Sequence, residues 1–170
     1  DKAARVLGIG YPGGAPMDRL SRTGDAGRYA FPRVQVHDAP LDMSFSGLKT
    51  AAINLIHNAR QKEEALDLPS LAASFSAAVS DMLVPRVMEA ARRCGRRKVA
   101  VAGGVAANSH IRADLEAACA AAGCCLYLPP LSLCGDNGAM IGCQAYYEYL
   151  AGHTADMALN AYANRDIAKG

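Results

Sequence analysis

Periodic apolar residues predict helices and one strand in the first half of the chain. A short helix is expected over residues 1–8, and alternating apolar and polar residues from Leu41 to Gly47 are typical of a half-buried strand. Apolar residues three or four positions apart then predict a helix from Leu48 and another from about Pro69. Pro85 lies inside the second helix and is expected to kink or interrupt it, because proline lacks the amide donor that a helix requires.

The last third of the chain has the pattern of a strand, a helix, a second strand and a second helix. The short apolar runs KVAVAGG and CCLYLPP predict the strands. The helix between them is expected to begin at Asn108 or Ser109, which are favoured cap residues, and to end at Gly123. The last helix begins near Ala139. This order predicts a βαβ unit and therefore an α/β sheet.

Composition indicates a globular protein. Of the 170 residues, 51% are hydrophobic and 20% are charged, which is too apolar for an intrinsically disordered chain. The net charge of +2 is too small to indicate nucleic-acid binding by itself. We find no apolar run of the roughly 18 residues that a membrane helix needs, and therefore expect no membrane association. The chain starts without Met or a secretory signal, as the interior of a longer protein would.

Six cysteines could form disulfides or bind zinc, but their spacing supports neither. They form no C-x-x-C pair and lie beside no histidine cluster. We therefore expect reduced thiols in a cytoplasmic protein.

Two glycine-containing loops are candidates for ligand binding. In VAGGVAAN, Gly103 and Gly104 follow a strand, and Asn108 stands at a helix start, where backbone N–H groups favour phosphate. A tight turn with an Asn cap explains the same pattern equally well. In YPGG, Gly14 is followed by Asp18, whose carboxylate could hold ribose hydroxyls, although a plain turn is the simpler interpretation.

Charged side chains in two further segments also have two interpretations each. Asp136 in CGDNGAMIG precedes an apolar run, so it is either a helix N-cap or a single ligand for a metal cation. The four histidines include no i, i+4 pair that would complete such a site. RRCGRRK, from Arg92 to Lys98, is either a solvated helix end or a surface that contacts RNA phosphates.

Four of these segments together resemble one family. DKAARVLGIGYPGG, SFSGLKTA, VAGGVAANSHIR and CGDNGAMIG are similar, in order and approximate spacing, to the bacterial tRNA N6-adenosine threonylcarbamoyltransferases. This is the TsaD family, formerly described as O-sialoglycoprotein endopeptidase or glycoprotease, and the resemblance extends to about Leu150. It implies the second lobe of an actin-like, sugar-kinase or Hsp70-type ATPase fold, with additional helices, over residues 1–152. The N-terminal lobe would be absent, and residues 153–170 would be a polar tail.

The resemblance also implies an activity and its site. The family transfers a threonylcarbamoyl group from threonylcarbamoyl-AMP to N6 of the adenosine 3′ of the anticodon, in tRNAs that read codons beginning with A. Asp1, Gly14 and Asn108 match positions that bind the adenylate (or ATP), and Asp18 matches a weaker one. Asp136 matches the carboxylate that completes an iron or zinc site, where the metal would polarise the donor. The implied partners are tRNA, a paralogous actin-like protein and a small ATPase.

The sequence departs from the family pattern because it lacks the H-x-x-x-H metal ligands and the Ser-Gly-Gly loop of the first lobe. Asp136 would thus be a lone ligand, and we expect this chain to be a fragment that is inactive alone. Two other functions stay open: a non-catalytic nucleotide-binding or scaffold lobe, and a metallopeptidase, although no H-E-x-x-H motif is present.

Overall fold

The computed structural model of the chain describes residues 4–5, 7–34, 36 and 38–160, which divide into two compact units. The first unit extends to Gly135 and the second begins at Asp136. The first contains the helices α1 (Gly14–Ser21), α2 (Ser46–Gln61), α3 (Leu68–Arg93) and α4 (Ser109–Ala121) and the strands β1 (Lys98–Ala100) and β2 (Cys125–Tyr127). Short 3-10 helices follow each strand, at Gly104–Ala107 and Leu131–Leu133, and the second unit contains helix α5 (Gly138–Leu150).

Helix α3 is the central element of the first unit. Its buried side chains contribute to three apolar clusters: one with α2 around Leu48 and Met82, one with α1 around Met17 and Ala72, and one with α4 around Leu115. Removing each such side chain from water contributes on the order of 1–3 kcal/mol. These clusters fix α1 and α4 against the same helix, and the candidate site is built where those two helices begin.

The length of α3 changes two conclusions drawn from the sequence. The helix continues through Pro85 for 26 residues, so the expected interruption is wrong. By length and composition alone α3 could cross a membrane, but half of the relevant window is buried inside the protein. A core helix meets the same criterion, so this is a weak indication of a membrane span.

The predicted βαβ unit is confirmed. Strands β1 and β2 are parallel neighbours, with Val99 opposite Leu126, and α4 connects them. Because both strands run in the same direction, the loops after them emerge at one edge of the sheet. The fold class is therefore α/β, as expected from the sequence.

The strand predicted from Leu41 to Gly47 is wrong. These residues are irregular up to Ser46, where α2 begins. A side chain rather than a neighbouring strand holds this backbone: Arg86 on α3 donates a hydrogen bond to the carbonyl oxygen of Asp42 (2.9 Å). Arg86 also donates to the carbonyl oxygen of Val34 (3.1 Å), before the segment. Alternating apolar residues predict burial on one side, but Met43 and Phe45 are exposed, so this segment has neither the strand nor the buried face.

In the second unit, α5 begins at a capped residue. The side-chain oxygen of Asn137 accepts a hydrogen bond from the backbone N–H of Met140 (3.0 Å). Large apolar side chains on this helix are exposed: Met140, Ile141, Tyr146, Tyr147, Tyr149 and Leu150.

Candidate nucleotide-binding site

The loop after β1 is shaped by Gly103. Its φ of 90° lies in a region that residues with a side chain rarely adopt, and a Cβ there would meet no atom within 4 Å. Backbone geometry rather than packing therefore requires this glycine. The Ala106 N–H donates to the Gly103 carbonyl (2.9 Å), and Val105 in the same turn is 60% exposed. The loop thus presents open backbone and one apolar side chain at the end of the strand.

Asn108 ends this loop and caps α4. Its Oδ1 accepts a hydrogen bond from the backbone N–H of Ile111 (3.0 Å), so the predicted cap is confirmed. The cap uses only the amide oxygen, and the NH2 group of the same side chain can still donate to another partner. Capping and ligand binding by Asn108 are therefore chemically compatible.

Asp18 joins α1 to the start of α4. The side chain is buried, and its Oδ1 accepts hydrogen bonds from the backbone N–H (2.7 Å) and the hydroxyl (2.8 Å) of Ser109. Its Oδ2 accepts from Nη2 of Arg22 (2.8 Å), one turn further along α1. The predicted residues Asp18 and Asn108 are thus brought together, since Ser109 follows Asn108 directly.

The electrostatic environment keeps Asp18 ionised. Burial by itself raises the pKa of this carboxyl. The hydrogen bonds from Ser109, together with the hydrogen bond and positive charge of Arg22, lower the pKa by more than burial raises it. The pKa of Asp18 consequently lies below its ordinary value. An anionic Asp18 at the first turn of α4 is also favoured by the dipole of that helix.

The two glycines of YPGG have different surroundings. A Cβ on Gly13 would lie 2.2 Å from the Cβ of buried Ala4, so packing requires a glycine there. A Cβ on Gly14 would meet nothing within 4 Å, which leaves its backbone open to a ligand. Gly14 begins α1, four residues before Asp18, which corresponds to about 6 Å along the helix axis.

Arg112 on α4 holds the two loops that follow the strands. Nη1 donates to the carbonyl oxygen of Ala106 (2.8 Å), and Nη2 donates to that of Pro129 (3.1 Å). Nη1 also contacts the sulfur of buried Cys134 at 3.8 Å. One guanidinium thereby fixes the loop after β1 relative to the loop after β2.

The remaining predicted residues lie elsewhere. Asp1 is outside the described residues. Asp136 belongs to the second unit and is exposed, and its carboxylate has no hydrogen bond or ion pair with any residue that the structure describes. Asn137 rather than Asp136 supplies the cap of α5, so the prediction of Asp136 as the N-cap is wrong. Among the described residues, no three His, Cys, Asp or Glu side chains form a group that could hold a metal ion.

Comparison with known sequences identifies the family. A sequence model of TsaD, described as tRNA N6-adenosine threonylcarbamoyltransferase, matches residues 1–143. The chain belongs to the TsaD family. All the loops described above lie inside the matched region.

Individual TsaD proteins match almost the whole chain. Proteins named tRNA N6-adenosine threonylcarbamoyltransferase are 48% identical in Moorella thermoacetica (95% of this chain), 46% in Staphylococcus saprophyticus (98%) and 43% in Clostridium botulinum (99%). The matched part is 47%, 48% and 50% of those proteins, respectively. The chain therefore spans about half the length of the curated relatives it matches.

Sequence reasoning missed three residues that hold this part of the TsaD chain together. Ser109 was considered only as a cap, whereas its N–H and hydroxyl both donate to Asp18. Arg22 and Arg112 were not singled out, because a lone arginine on a helix has no pattern that reveals its acceptor. The i, i+4 spacing of Asp18 and Arg22 was the one available signal.

Proposed function

We propose that the protein from which this chain comes transfers a threonylcarbamoyl group from threonylcarbamoyl-AMP to N6 of the adenosine 3′ of the anticodon, in tRNAs that read codons beginning with A. The observation that carries the proposal is the 43–48% identity, over nearly the whole chain, to proteins named for a tRNA threonylcarbamoyltransferase activity. Since the chain spans about half of those relatives, we expect it to be inactive alone.

The fold proposed for residues 1–152 is the second lobe of an actin-like ATPase, with residues 153–170 as a polar tail. The parallel strands joined through α4, with a glycine loop at their carboxyl ends, support this proposal. In such a lobe the adenylate, as threonylcarbamoyl-AMP or ATP, would lie across Gly14, the Gly103 loop and Asn108, with Asp1 as a further contact. Asp18, predicted as a weaker contact of the adenylate, would act instead through Ser109, by holding α1 against the start of α4.

The reaction is an acyl transfer. N6 of the adenosine attacks the carbamoyl carbon of the donor, a C–N bond forms, the bond from that carbon to the phosphate oxygen breaks, and AMP leaves while N6 loses one proton. Backbone N–H groups at the start of α1 favour the phosphate, and the open backbone at Gly14 allows close approach. Holding both reactants in place contributes to the rate without a covalent intermediate on the protein. No residue of this chain is assigned as base or nucleophile.

A single divalent metal, iron or zinc, fits one residue of the chain. Asp136 is an exposed carboxylate without a protein partner among the described residues, and oxygen ligands of this kind bind such cations. When bound, the metal would supply Lewis-acid polarisation of the donor. The other ligands would have to come from outside the described residues.

The proposed partners are tRNA, a paralogous actin-like protein and a small ATPase of the same pathway, in the cytoplasm. No observation favours the two other functions, a scaffold lobe or a metallopeptidase. Depletion tests the proposal: loss of the full-length protein should remove threonylcarbamoyladenosine from tRNA, and normal levels would contradict it.

The adenylate site is tested by replacing Asn108 in the full-length protein. Asn108→Ser keeps an oxygen that can cap α4 but removes the amide donor. We expect the affinity for a non-hydrolysable threonylcarbamoyl-adenylate analogue to fall roughly threefold to tenfold, because a neutral hydrogen bond contributes about 0.5–1.5 kcal/mol. Isothermal titration calorimetry measures the change.

The matched control is Asn137→Ser, which alters the equivalent cap of α5 by the same chemistry. It should leave the affinity for the adenylate unchanged. Equal binding by the Asn108 variant and the wild type would contradict the assignment of Asn108 as a ligand, whatever the activity of the enzyme.

A further inference from the structure

The turn between α3 and β1 carries a surface that the proposed adenylate site does not use. We call residues Arg92–Lys98 the basic turn. Gly95, with φ of 61°, lets the chain reverse, and the N–H of Arg96 donates to the carbonyl oxygen of Ala91 (2.8 Å). The carbonyls at the end of α3 thus have backbone partners. The arginine side chains of the turn are not needed as helix caps.

The charge of the basic turn is largely uncompensated. The turn has five exposed cations, and the nearest acidic partner is Glu89, which accepts hydrogen bonds from Arg92 (2.7 Å) and Arg93 (2.7 Å). The bonds from these arginines lower the pKa of Glu89 from its ordinary value to about 2, so it stays ionised. The other three cations have no ion pair with any described residue: Arg96, Arg97 and Lys98. Since the whole chain carries only +2, the rest of it is net negative.

A shallow hollow of about 300 Å³ lies within this surface. Three arginines and several apolar residues line it: Met88, Ala91, Arg92, Gly95, Arg96, Arg97, Ala122 and Cys124. A convex solvated helix end would not offer such a recess. Guanidinium groups beside apolar side chains suit a ligand that presents phosphate oxygens beside a flatter sugar or base.

The basic turn is too far from the glycine loop to bind the same nucleotide. The turn ends at Lys98, where β1 begins, whereas Gly103 follows the other end of that strand. Five extended residues separate these positions by roughly 16 Å. A ligand of the basic turn is therefore either separate from the nucleotide at the glycine loop or part of a longer polyanion.

We propose that the basic turn binds phosphates of the tRNA backbone away from the adenosine, 3′ of the anticodon, that is modified. The proposal rests on the function proposed above, since it takes tRNA as the substrate. Arg96 and Arg97 contact phosphate oxygens, and the contact is independent of sequence because it involves no base edge. Its role is to position the RNA rather than to take part in the acyl transfer.

The test uses the full-length protein with Arg96 and Arg97 both replaced by Gln. Affinity for RNA falls as salt rises, and each lost phosphate contact makes the negative slope of log affinity against log salt concentration shallower by roughly 0.7–0.9. For the double variant and full-length tRNA, we therefore expect a slope that is shallower by about 1.5 than in the wild type. We also expect the affinity near 0.1 M salt to fall roughly tenfold or more. The KM for tRNA should rise while kcat at saturating tRNA stays the same, since the contact is equally present in the ground state and the transition state.

The matched control is Arg19→Gln with Lys62→Gln. It removes two exposed cations of the first unit that, like those of the basic turn, have no ion pair with a described residue. This variant should keep the wild-type salt slope and KM. Both double variants should unfold at the wild-type temperature, because all four side chains are exposed.

The outcomes separate this proposal from the proposed function. A wild type without transfer activity would refute the function, whereas an active enzyme whose Arg96/Arg97 variant keeps the wild-type salt slope would refute the basic turn alone. If the KM rises but direct tRNA binding is unchanged, the turn binds an acidic protein partner, and the RNA proposal is overturned.

Discussion

Asp18 connects two helices through a single carboxylate. Ser109 occupies one of its oxygens and Arg22 the other, so neither oxygen is left without a partner. Arg112 has the same kind of role with the charges reversed, since one guanidinium serves two backbone carbonyls. At this scale the site is held by charged hydrogen bonds between helix starts and loops, each contributing about 1.5–3 kcal/mol.

The first residue-scale prediction concerns Asp18→Asn. The variant should lower the free energy of unfolding of the full-length protein by about 2 kcal/mol at pH 7, because it removes the charge that Arg22 and Ser109 stabilise. The pKa of Asp18 is lowered in the folded protein, so its stabilisation is complete above the unfolded value of 3.8 and is lost as the pH falls through the folded pKa. Urea unfolding between pH 3 and 7 should show the difference from wild type shrinking below about pH 4.

Asp38→Asn is the control for that experiment, since Asp38 is exposed and has no ion pair with a described residue. Its unfolding free energy should follow the wild type at every pH. A difference between wild type and Asp18→Asn that stays constant down to pH 3 would show that the charge of Asp18 is not what stabilises the junction.

Individual residues were predictable from the sequence where their partners are local. Asn108 as a cap depends on an N–H three residues away, and cap preferences describe such contacts. The bond from Ser109 to Asp18 spans 91 residues, and the path of the chain between them decides it. Asp136 failed as a cap because Asn137, an equally good cap residue, stands next to it.

Among the elements, α1 and α3 approach so closely that their connection depends on backbone contact. A Cβ on Gly24, just after α1, would lie 2.1 Å from the carbonyl carbon and oxygen of Pro69. Serines on α3 hold the following loop: the hydroxyl of Ser70 accepts from the N–H of Asp25 (2.9 Å), and that of Ser74 accepts from the N–H of Tyr29 (3.2 Å). Small side chains on α3 are thus the reason that the loop can lie against it.

At the element scale we predict that Gly24→Ala destabilises the full-length protein strongly. The new methyl group meets backbone atoms, which cannot rotate away, so α1 must shift relative to α3. We expect a loss of about 3 kcal/mol, at the upper end of the usual cost of overpacking, as measured by urea unfolding. Gly10→Ala is the control, since a Cβ there meets nothing within 4 Å. Equal stability of the two variants would contradict the close approach.

Elements were predicted well wherever apolar residues recur with a helical period or form a short run. The helical period of α2 and the two short apolar runs led to the correct element types and to the βαβ order. The segment before α2 was misjudged because a side chain, Arg86, supplies hydrogen bonds that the alternating pattern attributes to a strand. The helix continues through Pro85, against the predicted interruption, because the packing of α3 on both sides of it outweighs the loss of one hydrogen bond.

For the molecule as a whole, the relatives define what this chain contributes. It matches about half of each TsaD protein, and within that half the glycine loops and helix starts form a connected junction in the first unit. The resemblance had indicated the family from four segments, and the family match over residues 1–143 confirms it. Ligand contacts and metal binding stay predictions, because their remaining partners are not among the described residues.

The whole-molecule prediction concerns metal binding by the full-length protein. Asp136→Asn should lower the affinity for iron or zinc at least tenfold, since even the loss of a residue that only supports a ligand costs ten- to a hundredfold. Metal content after dialysis, measured by mass spectrometry, tests this without reference to activity. Asp156→Asn changes another exposed carboxylate of the second unit and should keep the wild-type metal content. Full metal occupancy in the Asp136 variant would contradict its role as a ligand.

The position of α3 also has a consequence for how the first unit folds. The helix contributes side chains to all three apolar clusters, which otherwise share few residues. Partial unfolding that spares one cluster would still have to keep most of α3 ordered, and an isolated helix in water gains little stability of its own. The junction between Asp18 and Ser109 is therefore lost together with the core, in one cooperative transition, rather than opening as an independent gate.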